Sequence, residues 1–170
     1  MEGGLEDAVR EVERHAAATG WDRPPALYAL ARTADLVRDE PELAGRLGLD
    51  GGTAGALTPV AQDDLVVEAT IPDLLAGIDW PDAVLGAVLV LETVALPGDV
   101  EDEAPGADAG AWAVQHPDRQ EARLVVGVLR DGARAAALRW RSHDTEDDVV
   151  TGPDLAPALT AALALSLRSQ

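Results

Sequence analysis

The chain is 170 residues long, 47% apolar, and carries 13 arginines against 31 acidic residues, for a formal net charge of −18. That length and apolar content suit one folded domain with an ordinary core, while the charge opposes nucleic acid and anionic membrane as partners, both of which need a basic face. With neither cysteine nor lysine present, thiol nucleophiles, thiolate metal sites, disulfides, Schiff bases and a phosphate-loop lysine are excluded.

Leu5 to Thr19 reads as a helix, with Leu5, Val9, Val12 and Ala16 on one stripe and Glu6, Arg10, Glu13 and Arg14 turned away. His15 borders the stripe and reads as a partly buried packing residue. Gly20 ends the helix, and Trp21 to Pro25 (WDRPP) is a stiff connector, because each proline fixes its own φ and extends the residue before it. Ala26 to Ala31 is a short apolar run that reads as a strand. Thr33 is placed to cap a turn of helix. Asp39 with Glu42 has the capping-box spacing for a second piece that stops at Gly48. Residues 48–64 turn to Gly, Thr, Pro and Asp and read as a surface loop.

Thr70 to Ile78 is expected to form a short helix capped by Thr70. Leu85 to Leu96 (LGAVLVLETVAL) is the longest apolar run and suits a central strand buried on both faces. Residues 99–108 (DVEDEAPGAD) are acidic, have little to bury, and read as a second surface loop.

Glu121 to His143 reads as a β-hairpin turning at Asp131-Gly132, the dipeptide that two-residue hairpin turns prefer. That turn predicts a register in which Leu138 faces Val125, Ala137 faces Val126 and Trp140 faces Arg123. One face would then carry Val125, Gly127, Leu129, Ala136, Leu138 and Trp140; the other would carry Leu124, Val126, Val128, Ala135 and Ala137, with Arg139 and Arg141 toward its open end. A last helix is expected from Asp154, as cap, through a stripe of Leu155, Leu159 and Leu163. The expected fold is α+β: residues 1–170 as a single domain, an antiparallel sheet of about four strands packed by the N- and C-terminal helices.

Extending the hairpin register places His143 opposite Gln120, Asp144 opposite Arg119 and Asp147 opposite His116. Ser142, His143 and Asp144 are adjacent and are the candidates for nucleophilic or acid–base chemistry. Neighbours on a strand point to opposite faces, so a solvated strand end is the favoured reading. His116, His143, Asp144 and Asp147 are the candidate metal ligands, two imidazoles and two carboxylates suiting a divalent ion. The acidic loop at 99–108 lacks the ligand pattern of a calcium loop. Trp21, Trp80 and Trp112 lie in connectors, where a ring either anchors a loop to the core or marks a binding surface.

Three stretches carry a resemblance: Trp21 to Val37 (WDRPPALYALARTADLV), Trp80 to Pro97 (WPDAVLGAVLVLETVALP), and His116 to Leu159, with HPDR, VLRDG, RSHD and TGPDLAPAL. In this order they resemble a family of small acidic actinobacterial proteins that carries no established function. The scarcity of Lys, Asn, Phe and Ile, all specified by AT-rich codons, agrees with a GC-rich source. The resemblance lends no site residue.

The sequence favours a non-enzymatic interaction domain, an adaptor or chaperone-like protein holding another protein on a sheet face or at its Trp-bearing connectors. The alternative is a hydrolase or metal-dependent enzyme using His116, His143 and Asp144. No cofactor is expected, a homodimer is compatible with either reading, and the absence of a leader or spanning segment points to the cytoplasm.

Overall fold

The structure is a computed structural model that describes residues 2–49, 56–62, 75, 77, 78, 80–95, 120–141, 145 and 149–168. The first helix, α1 (Glu2–Thr19), starts three residues earlier than its apolar stripe and buries Leu5, Ala8, Val9 and Val12. It stops at Gly20, whose φ of 95° ends the helical path. Strand β1 (Ala26–Arg32) follows, then the short helices α2 (Thr33–Asp39) and α3 (Pro41–Leu47). The remaining elements are β2 (Leu57–Ala61), β3 (Gly86–Ala95), β4 (Gln120–Leu129), β5 (Arg134–Trp140), β6 (Val150–Thr151) and α4 (Pro157–Arg168).

All pairings are antiparallel, in the order β2-β1-β3-β4-β5-β6. Among the described residues the sheet therefore has six strands rather than about four, and the two additional ones are its edges. Strand β2 lies within the stretch expected to be a loop. Its Pro59, which argues against a central strand, is tolerated here because, among the described residues, β2 pairs on one side only. Strand β6 has two residues, too few to show an alternating pattern.

Both faces of the sheet are covered. Leu5, Ala8, Val9 and Val12 of α1 pack with Leu30, Val88, Val90, Val125 and Ala137 on one face. Leu163 and Leu167 of α4, with Leu75 and Trp80, pack with Leu27, Leu89, Leu124 and Val126 on the other. Trp80 is the anchoring kind of tryptophan, 3% exposed, and its indole N–H donates to Ser166 Oγ at 3.1 Å. Trp112 and most of the helix expected at Thr70 to Ile78 lie outside the described residues, although Leu75 within that stretch is helical and buried.

The hairpin register differs by one residue from the expected one. Ala122 pairs with Trp140, Leu124 with Leu138 and Val125 with Ala137. The turn spans three residues instead of two: Leu129 N–H donates to Ala133 O at 2.9 Å, and only Gly132 has a positive φ, 98°. Asp131 stays out of the left-handed region and accepts the Ala133 N–H on its carboxylate at 2.9 Å. A one-residue slip inverts a strand's faces. Ala135, Ala137 and Arg139 therefore join Val125 on the α1 side, and Ala136 joins Val126 on the α4 side.

The expected caps also differ. Thr33 is buried inside α2, sharing a 2.7 Å hydrogen bond with the Thr58 hydroxyl. Asp39 ends α2 with its carboxylate taken by Arg38, and Glu40 is the N-cap of α3 without a side-chain bond, so no capping box forms. Helix α4 begins at Pro157, and Asp154 instead pairs with Arg134 at 2.8 Å.

Candidate functional site

Among the described residues, two places that gather charged side chains by tertiary contact stand out. The first lies where α1 ends. A helix leaves carbonyls and a partial negative charge at its C-terminus, and the last turn of α1 holds no basic residue. Cations reach it from the sheet. Arg123 and Arg139 are cross-strand partners, 2% and 5% exposed. Arg123 donates to Gly20 O at 2.8 Å, and its guanidinium lies 4.3 Å from the centre of the Trp21 ring, a cation–π contact. Arg139 donates from Nε to Glu13 Oε1 at 3.0 Å. Glu13, expected on the solvent side of α1, is therefore buried because Arg139 stands beneath it.

The connector is fastened to the same cluster. Arg141 lies 5.5 Å from the Trp21 ring centre and bridges Asp22 at 2.9 Å and Glu121 at 2.6 Å. Glu92 accepts the backbone N–H groups of Asp22 and Arg23 at 2.9 and 2.7 Å. Asp22 has a φ of 64°, a conformation that a short polar side chain tolerates. The Arg141 hydrogen bond and charge hold the Asp22 carboxyl below the ordinary 3.8. His15 is exposed rather than packed, and lines a cleft of about 230 Å³ with Tyr28 and Glu92. Burial pushes the Tyr28 phenol up. The chemistry of this cluster is attachment: guanidinium against carboxylate, carbonyl and indole.

The second place is a groove of about 650 Å³ between α4 and the turn end of the β4–β5 hairpin. Along α4 its wall includes Pro157, Ala161, Ala164, Leu165 and Arg168, positions that fall on one stripe of a helix. Leu165 is 63% exposed. Arg130 closes the end near the turn, donating to Val84 O at 2.7 Å, Leu167 O at 2.6 Å and Pro81 O at 3.2 Å. The Arg134–Asp154 bridge borders the same groove. Sequence reading missed it, since the groove joins the hairpin end at residues 128–134 to residues 154–168, segments remote along the chain, and no pattern within either one marks the other.

The candidates Ser142, His143, Asp144, Asp147 and His116 all lie outside the described residues. Their proposed pairing rested on the register that the hairpin does not adopt. Among the described residues, no three His, Asp or Glu side chains are grouped to hold a metal ion.

Fold and charge define an acidic α+β protein, a six-stranded antiparallel sheet with α1 and α4 on its two faces, in which no helix of the described residues is long and apolar enough to cross a membrane. Residues 5–168 match the PPA1309-like protein family, and the chain belongs to it. No curated protein and no solved structure matches the chain.

Proposed function

We propose that this protein is a non-enzymatic interaction domain, an adaptor or chaperone-like protein that holds a segment of another protein in the groove beside α4. The observation that carries this reading is the groove itself, a strip of small and apolar residues along three turns of helix with Leu165 exposed at its rim. Such a strip suits a helix or extended peptide laid alongside, with small residues permitting close approach. The sheet faces and the two described connector tryptophans are engaged within the fold: Trp80 is buried, and Trp21 lies against Arg123 and Arg141. A cytoplasmic setting belongs to the same proposal.

The test compares capture from the host by the tagged wild-type protein and by Ala161→Trp, which fills the groove from an exposed position. A stoichiometric protein partner held by the wild type and lost by the variant is expected. A partner equally retained by the variant, or none captured, rejects the reading.

A further inference from the structure

Resting on the reading of the α4 groove as a docking surface, we propose that its occupant is an acidic amphipathic segment of a different protein, apolar on the face turned inward and bearing carboxylates on its flanks. The whole chain has 31 acidic residues against 13 arginines. The groove inverts that ratio: Arg130, Arg134 and Arg168 line it, and Asp154 is the one acidic residue among its described lining residues. Asp154 already serves Arg134. Among the described residues no carboxylate pairs with Arg130 or Arg168; Arg130 is bound by carbonyls alone, which leave its formal charge uncompensated.

A net positive rim in a strongly acidic protein decides the sign of the partner locally. The Asp131 carboxylate sits at the turn end of the groove, accepting the Ala133 N–H at 2.9 Å, and with Asp154 it still leaves the three arginines in excess. At physiological ionic strength charges farther than about 8 Å are largely screened, so the more distant carboxylates count for less. A second copy docking through its own α4 groove by a two-fold axis would bring the same positive rim against itself, which like-charge repulsion opposes. An acidic segment meets the rim with opposite charge. Its apolar face meets Ala161, Ala164 and Leu165, and the 12 residues of α4 extend about 18 Å, the length of a short partner helix.

The experiment uses the full chain and two fluorescein-labelled amphipathic peptides of about four turns, identical in their Leu/Ala face, one flanked by Glu and the other by Lys. Fluorescence anisotropy at about 0.15 M salt reads their affinities. The Glu peptide is expected to bind at least about tenfold tighter than the Lys peptide, and Ala161→Trp to abolish that binding. Arg134→Glu with Arg168→Glu should reverse the preference. Arg168→Glu alone, at an exposed position in the last turn, should narrow it if the double variant is less stable. Equal or tighter binding of the Lys peptide, lost in Ala161→Trp, overturns the acidic partner and leaves the docking groove standing. Binding of neither peptide, or binding indifferent to Ala161→Trp, overturns the groove reading itself.

Discussion

Glu13 of α1 and Arg139 of β5 form an ion pair inside the protein, their side chains 4% and 6% exposed. Two donors of Arg139 converge on one carboxylate oxygen: Nε and Nη2 donate to Oε1, while Oε2 is buried and, among the described residues, accepts no hydrogen bond. A pair of this kind is conditional in its contribution. Removing one partner strands a buried charge, whereas replacing both with apolar groups removes two desolvation costs together. Arg139→Ala, which strands the Glu13 carboxylate, should lower unfolding stability by about 3–5 kcal/mol, Glu13→Ala should lower it by less, and Glu13→Leu with Arg139→Leu should recover most of the larger loss. Urea unfolding of the three variants checks this; additive losses in the double variant would mean that the two residues act separately.

The close approach of α1 to the sheet is set by Gly127. A Cβ there would lie 2.7 Å from Val9 Cγ2 and 3.0 Å from Leu5 Cδ1. Gly127→Ala is expected to cost about 1–3 kcal/mol by overpacking, and Val9→Ala in the same chain to cost less than in the wild type, because it clears the space. Gly86 is stricter, since its Cβ would run into the backbone carbonyl of Val128, which cannot rotate away. Gly86→Ala should therefore be the more damaging of the two, as read by thermal unfolding.

Arg130 joins three chain segments through the carbonyls of Pro81, Val84 and Leu167. The planar fork of a guanidinium is what spans them, and an ammonium at the end of a lysine chain cannot. Arg130→Lys keeps the charge and should still lose about 2–3 kcal/mol. A loss confined to Arg130→Ala, with lysine acting as well as arginine, would show that charge rather than geometry matters there.

The Asp22–Arg141 bridge makes the WDRPP connector sensitive to acid. Because Arg141 holds the folded Asp22 carboxyl below its ordinary 3.8, the bridge contributes fully at pH above that value and is lost as pH falls through the lower, folded-state value. The indole N–H resonance of Trp21 should shift in that acid window ahead of global unfolding. In Asp22→Asn that transition should be absent, and its persistence would assign it to another carboxyl group.

Much of the plan was legible in short patterns. The stripe of Leu5, Val9 and Val12, the continuous run at Leu85 to Leu96 and the apolar runs on either side of Asp131-Gly132 are local features, set by helix or strand geometry and burial. So was the helix stop at Gly20, where a positive φ ends the helical path. Strand β2 escaped because a proline means opposite things on edge and central strands, and only neighbours in space tell them apart.

What one residue decides at a turn, no strand pattern can correct. Both strands of the hairpin are apolar on both faces, so either register buries acceptable side chains, and the three-residue turn with its single left-handed glycine settled which one forms. That choice set Arg139 beneath Glu13 and opposite Arg123, and so created the buried charge at the end of α1. The groove beside α4 has the same origin: it joins arginines from the hairpin and from the last helix, remote along the chain, around a strip that in sequence is only a run of alanine and leucine. Local sequence determines the direction of side chains and the start and end of elements. Which charges meet is a matter of register and packing, because those contacts are made between segments that the chain order keeps apart.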